Sequence, residues 1–171
     1  MEYRLGGRYE QYRSVVNAAL AGHGVVWELD ENGRIVRFLP GPAAASLRAA
    51  LVELLTPRFA AALNLFSMAR DAYDTQPRRD RDACSNAFDA LESVAKEKYG
   101  MPTATFGQVV VEMRRRGSHN QQIVGVLESI NTLRNKNFGH GMATPFSLTT
   151  AEVDLTYLTC VAGILLVVRT P

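Results

Sequence analysis

A helical period runs the length of Gln121-Gln-Ile-Val-Gly-Val-Leu-Glu-Ser-Ile-Asn-Thr-Leu-Arg-Asn-Lys-Asn137. Ile123, Leu127, Ile130 and Arg134 recur at helical spacing, which places them within about 60° of one another around a helix axis. The pattern predicts a helix over 121–137 in which an arginine continues the apolar stripe. A lone charge on such a face is costly unless something compensates it. Arg134 is therefore either tied to a carboxylate, in the core or at an interface, or it binds an anion.

Other helices follow on both sides. Arg114, Arg115 and Arg116 close a predicted helix over 104–116, just ahead of Gly117, a residue suited to leaving a helix in the left-handed conformation. Three cations in a last turn complement the helix dipole; a phosphate-contact patch is the alternative reading. Arg78-Arg-Asp-Arg-Asp82 reads as a solvated loop, with Asp80 or Asp82 capping a helix over 80–98. Thr56 before Pro57 opens 57–73, and Thr149 with Glu152 has capping-box spacing at the head of 149–168. A helix over 43–55 and one over 8–21, stopped by Gly22, complete the set.

Between the first two helices the period changes. Val25-Val-Trp-Glu-Leu29 and Arg34-Ile-Val-Arg-Phe-Leu39 flank Asp30-Glu-Asn-Gly33, whose Asn-Gly pair suits a hairpin turn. A lone hairpin is only marginally stable, so it must pack on helices. The expected fold is mostly α, a helical bundle over 56–171 with an N-terminal helix–hairpin–helix extension over 1–55, packed as one unit.

Composition narrows the class. The chain has 171 residues, 47% of them apolar, and a net charge of +2, which suits one folded domain rather than a disordered chain. Leu155–Val168 is the most apolar run, but Thr156 and Thr159 interrupt it and it falls short of the ~18–20 residues of a membrane span. The first eight residues carry no hydrophobic signal segment. Cys84 and Cys160 lie in apolar helical patterns and read as buried thiols. Three scattered histidines and no CxxC pair point away from zinc, and no cofactor is expected. These features predict a soluble, cytoplasmic protein. Of the 19 basic residues only Lys96, Lys98 and Lys136 are lysine; arginine suits bidentate phosphate recognition, yet so small a net charge confines any nucleic-acid contact to local clusters.

His140 stands between Gly139 and Gly141. In a straight helix it would lie about 240° around from Arg134. The two meet only if the chain leaves the helix near Gly139, or if two copies meet across an axis. Asn135, Lys136 and Asn137 add donors nearby. His23 and His119 read as surface loop residues, His119 beside the arginine triplet being an RNA-contact candidate. Glu92 precedes Lys96 by one helical turn, the orientation that favours an ion pair.

Leu133-Arg-Asn-Lys-Asn-Phe-Gly-His-Gly141 resembles the signature of HEPN domains (higher eukaryotes and prokaryotes nucleotide-binding): Arg, a polar residue, a short spacer and His. Arg134, Asn135 and His140 fill it. Asp82-Ala-Cys-Ser-Asn-Ala-Phe-Asp-Ala-Leu-Glu-Ser-Val-Ala-Lys96 is similar to the first long helix of abortive-infection HEPN proteins, and the helix–hairpin–helix front resembles their N-terminal part. The likeness is strongest over 80–142.

The resemblance implies a helical bundle that forms a homodimer, with two Arg–His motifs around one cleft. In active members that cleft is a metal-independent endoribonuclease working in phage defence or stress, with an antitoxin or defence partner. On this reading Arg134 stabilises charge on the phosphorane and His140 moves protons, while Asn135 positions the scissile group. The 2′-OH of the RNA attacks, leaving a 2′,3′-cyclic phosphate and a 5′-OH. Glu92, Lys96 and Asn137 support the site, and Lys136, Arg114, Arg115, Arg116 and His119 contact RNA. Gly141, Met142 and Ala143 follow His140, so the tyrosine of the toxins silenced by tyrosine modification is missing. The alternative is a non-catalytic module or adaptor that binds RNA or nucleotides through the same cleft.

Overall fold

Seven α-helices and one hairpin follow one another among the described residues: α1 Tyr3–Gly22, β1 Trp27–Leu29, β2 Ile35–Arg37, α2 Gly41–Leu54, α3 Ala60–Asp74, α4 Asp80–Tyr99, α5 Phe106–Arg116, α6 Gln121–Asn137 and α7 Thr150–Arg169. The computed structural model describes residues 3–23, 25, 27–39, 41–138 and 147–170. The chain is mostly α with a small N-terminal hairpin, as its periodicity predicts.

Local chemistry sets most boundaries. Thr149 and Glu152 form a reciprocal capping box at the start of α7, and the N–H and hydroxyl of Thr149 hold the Glu152 carboxyl below its ordinary range. Thr105 and Gln108 do the same for α5. Gly100 and Gly117 end α4 and α5 at φ of 67° and 65°, a region where a Cβ would be strained. Pro57 opens a single 3-10 turn, Pro57–Phe59, before α3 begins, and the Thr56 side chain makes no cap bond. One expected cap is corrected. Arg79, not Asp80 or Asp82, is the N-cap of α4. Both acids lie inside the first turn, where they favour the positive end of the helix dipole, and the Asp80 carboxylate is taken by Arg78.

The hairpin survives because side chains finish both its edges. Glu28 faces Val36 across the antiparallel pair, with Trp27 opposite Arg37 and Leu29 opposite Ile35. On the outer edge of β1, the Asn17 amide of α1 accepts from the Leu29 N–H (2.7 Å) and donates to the Leu29 carbonyl (3.0 Å). This side chain stands where a third strand's peptide group would be. On the outer edge of β2, the Asp74 carboxylate of α3 accepts from the Arg37 N–H at 3.3 Å. At the tip only Gly33 takes a positive φ, 78°, while Asp30 Oδ1 accepts from the Asn32 and Arg34 N–H groups. Replacing Asn17 by alanine leaves both Leu29 backbone groups without a partner in a part-buried place, which costs about 1–3 kcal/mol. Thermal unfolding of Asn17→Ala beside wild type measures it; an unchanged Tm would show that water replaces the amide.

The core is built around α4, which packs against α3, α5 and α7. Its inner face is rich in small residues, Ala83, Cys84, Ala87, Ala90 and Ala95, with Phe88, Leu91 and Val94 between them; small side chains at a crossing let helix axes approach closely. Gly163 of α7 serves the same approach, since a Cβ there would lie 3.1 Å from both Leu91 methyl carbons. Leu47, Ala50 and Leu54 of α2 belong to the same core. Cys84 and Cys160 are free and buried, and burial pushes the Cys84 thiol up to about 12 and Cys160 in the same direction. At 20 residues α7 is long and apolar enough to cross a membrane, longer than the 155–168 run seen in the sequence; here Val153, Tyr157, Cys160, Val161, Ile164 and Val167 are core.

A charged cluster ties the hairpin to the bundle. Asp154 of α7 accepts from Tyr73 Oη (2.8 Å) and Arg78 Nη1 (2.6 Å) on one oxygen and from Arg37 Nη2 (3.2 Å) on the other. Both guanidiniums lie over the Tyr73 ring, at 5.5 and 5.2 Å, and Tyr73 stacks on Tyr157 with ring centroids 4.2 Å apart. Burial and the Asp154 hydrogen bond both raise the Tyr73 pKa.

Candidate functional site

Asp89, Glu92, Ser93, Lys96 and Glu97 share one face of α4, spanning about 140° of its circumference. This face is the outer one, opposite the small residues that pack inward. It lines an open groove of about 550 Å³ together with Arg134 of α6, Arg58 of the 3-10 turn and Ala61 and Leu65 of α3. Glu92, Lys96 and Arg134, flagged in the sequence for different reasons, line the same groove.

Arg134 occupies an unusual position. Its side chain is 17% exposed, and its guanidinium carbon lies 5.3 Å above the Phe88 ring. Nη2 reaches Asp89 Oδ1 at 3.5 Å and Nη1 reaches Asn135 Oδ1 at 3.3 Å, both long beside the ~2.7–2.9 Å of a strong charge-assisted bond. Nε is buried and donates to nothing among the described residues. The guanidinium is held by packing against an aromatic face more than by hydrogen bonds; Nε is covered, so the donor capacity left for an anion lies on the two Nη groups, whose contacts are long.

The stripe that Arg134 continues is used inside the bundle. Leu127 and Ile130 are buried, but the inner position near the start of α6 belongs to Val124, and Ile123 is 45% exposed. Glu92 and Lys96 pair at 2.8 Å with both side chains mostly covered. Asn135 and Lys136 are exposed, and Asn137 donates to the Leu133 carbonyl at 3.0 Å, closing its own helix rather than facing the groove. His140, with Gly139 and Gly141, lies outside the described residues.

None of the arginine triplet lines this groove. The triplet lies at the α5–α6 turn, and the rise of α6 from Gln121 to Arg134 is ~20 Å. Arg115 and Arg116 both bond Glu112, and Arg114 bonds Glu128; the two arginines pull the Glu112 carboxyl down to about 2. Arg116 also lies 5.0 Å over the Tyr99 ring. His119 is a half-buried tie rather than an open loop residue: its Nε2 is 3.1 Å from Tyr99 Oη and 3.3 Å from Thr170 Oγ1. Thr170 spends its hydroxyl proton on the Leu166 carbonyl, so its contact needs a proton on Nε2. Burial lowers the His119 pKa, which keeps the ring neutral near pH 7. His23 is exposed, as expected.

Three charged groove residues, Asp89, Glu97 and Arg58, escape a sequence reading. Asp89 could have been found, because it lies one turn before Glu92 on the same helical face. Arg58 carries no signal, since only tertiary packing brings the 3-10 turn to α4. A larger groove of about 640 Å³ runs between the hairpin and α2 over Leu39, Leu47 and Leu51, but it lies away from Arg134 and none of the sequence-flagged residues lines it. Among the described residues no three His, Cys, Asp or Glu side chains gather where they could hold a metal ion. No protein-family model, curated protein or solved structure matches this chain.

Proposed function

We propose that the protein is a HEPN-type endoribonuclease whose reaction is carried by Arg134 and His140. The observation that supports this reading is the under-bonded, mostly buried guanidinium of Arg134 at the wall of an open groove. A fixed guanidinium with unused donors stabilises the extra negative charge of a pentacoordinate phosphorane, and it does so more strongly in a partly desolvated place. His140 supplies the proton transfers, because an imidazole with an ordinary pKa of ~6.5 can act as acid or base near neutrality. The RNA's own 2′-OH is the nucleophile, so the products are a 2′,3′-cyclic phosphate and a 5′-OH end.

A module that binds RNA without turnover is the second reading: each groove cation faces a carboxylate, Arg134 with Asp89, Lys96 with Glu92 and Arg58 with Glu97, which leaves less uncompensated charge to stabilise a phosphorane. The homodimer belongs to the first reading, with the outer side of α6 as its face, where Ile123 and Val126 remain exposed. Incubation of the purified protein with total RNA in EDTA separates the readings. Cleavage to cyclic-phosphate ends, by a species that sediments as a dimer, is the expected result. RNA retention without cleavage would favour the binding module.

A further inference from the structure

We infer that Arg58 forms a second phosphate subsite, so that the groove takes a single-stranded polyribonucleotide across more than one phosphate rather than a mononucleotide. The inference rests on the ribonuclease reading of the groove and adds to it the class of substrate.

Arg58 is pre-positioned. Its Nη2 donates to the Glu97 carbonyl at 2.8 Å and its Nε to Glu97 Oε1 at 3.2 Å. The guanidinium carbon lies 5.4 Å over the Phe59 ring, itself part of the core. These contacts use one edge of the fork; Nη1 has no partner among the described residues, and the side chain is 48% exposed. A guanidinium fixed along one edge and open along the other is suited to planar recognition of a phosphate. An arginine free in solvent would lose more rotamer entropy on binding one.

Its distance from Arg134 sets what can bind. Arg134 is referenced to Asp89 and Arg58 to Glu97, and these two acids are ~12 Å apart along α4 at 1.5 Å per residue. At that spacing one phosphate does not reach both cations, whereas phosphates one or two nucleotides apart on an extended strand do. The groove is also lined by Ala61, Leu65 and Pro102 beside Lys96, an apolar surface for sugar or base near a cation. The carboxylates leave the groove nearly neutral, which works against a lone anion drawn by long-range attraction. Affinity then comes from several short contacts made together along a strand.

The test uses two RNA probes, a labelled single-stranded oligoadenylate and the dinucleotide ApA, which has a single phosphate. Binding is read by fluorescence anisotropy, directly and by competition, and cleavage is read in EDTA. Arg58→Gln is expected to weaken oligoadenylate binding about tenfold, the worth of one charge-assisted contact. It should also lower the salt dependence of log K by ~0.7, one phosphate's share for single strands. ApA should bind and react as with wild type. Glu97→Gln, which frees Arg58 from its side-chain partner but keeps the carbonyl anchor, should tighten the oligomer a few-fold. Wild-type oligomer affinity and salt slope in Arg58→Gln would overturn the subsite and leave the ribonuclease reading standing. Oligomer binding without turnover, still weakened by Arg58→Gln, would support the subsite and sink the nuclease. Failure of the wild-type protein to bind either probe would overturn both.

Discussion

On the ribonuclease proposed above, Arg134→Lys is expected to lower metal-free RNA cleavage by about 10²–10³-fold, the usual loss when one pre-organised donor to a transition state is removed. Lysine keeps the charge but not the planar fork, and it loses the guanidinium that stands 5.3 Å over the Phe88 ring. His140→Ala is expected to cost about 10²–10⁴-fold, the range of a general acid or base. Neither change should greatly shift thermal unfolding. The Arg134–Asp89 contact is long, 3.5 Å, and the Nε hydrogen has no partner to lose. If Arg134 were instead a purely structural tie, removing it would cost about 3–5 kcal/mol and His140→Ala would do almost nothing. Cleavage rates in EDTA and melting temperatures of both variants decide between the two. A destabilised Arg134→Lys beside a fully active His140→Ala would end the ribonuclease reading.

Asp154→Ala is expected to destabilise the fold by about 3 kcal/mol, because it strips the shared acceptor from three donors in a partly buried cluster. In a domain of this size that lowers Tm by roughly 6–12 °C. Three donors lose their acceptor at once: Tyr73 Oη, Arg78 Nη1 and Arg37 Nη2. Tyr73 is buried and the Arg78 side chain is 8% exposed, so water replaces the carboxylate poorly there. Arg78 keeps Asp80 as a second partner, which limits the loss. Asp154→Asn, which retains an acceptor without the charge, should lose less. Because Arg37 lies on β2, amide exchange in the hairpin should quicken in Asp154→Ala more than in α5 or α6. Uniform acceleration throughout would mean that the cluster stabilises the bundle as a whole and does not specifically dock the hairpin.

The helices were readable one by one because their causes are local. Periodicity over a few turns placed 121–137 and 80–98, the Thr149–Glu152 box began α7, and Gly117 ended α5, each depending on residues within one turn of the boundary. The Glu92–Lys96 pair was readable for the same reason, being a single turn apart on one helix. Readings that needed a neighbour failed or stayed open. The cap of α4 shifted to Arg79 because Arg78, anchored on Asp154 of a distant helix, drew Asp80 to itself. The inner face of α6 turned to Val124 because two neighbouring helices, not the sequence periodicity, define which side is in.

The site divides along the same line. Arg134 announced itself as a charge on an apolar stripe, a pattern written in the order of residues along one helix. What faces that charge was not written there. Asp89 lies 45 positions earlier in the chain, and Arg58 meets Glu97 across 39 positions. Asn17 stands in for a strand beside Leu29, and Asp154 joins Arg37 across 117 positions. Such partners are chosen by packing, since a buried polar group must take whatever complementary group the assembled helices bring within reach. Local order along the chain sets which residues share a face; the docking of those faces alone sets which residue meets which.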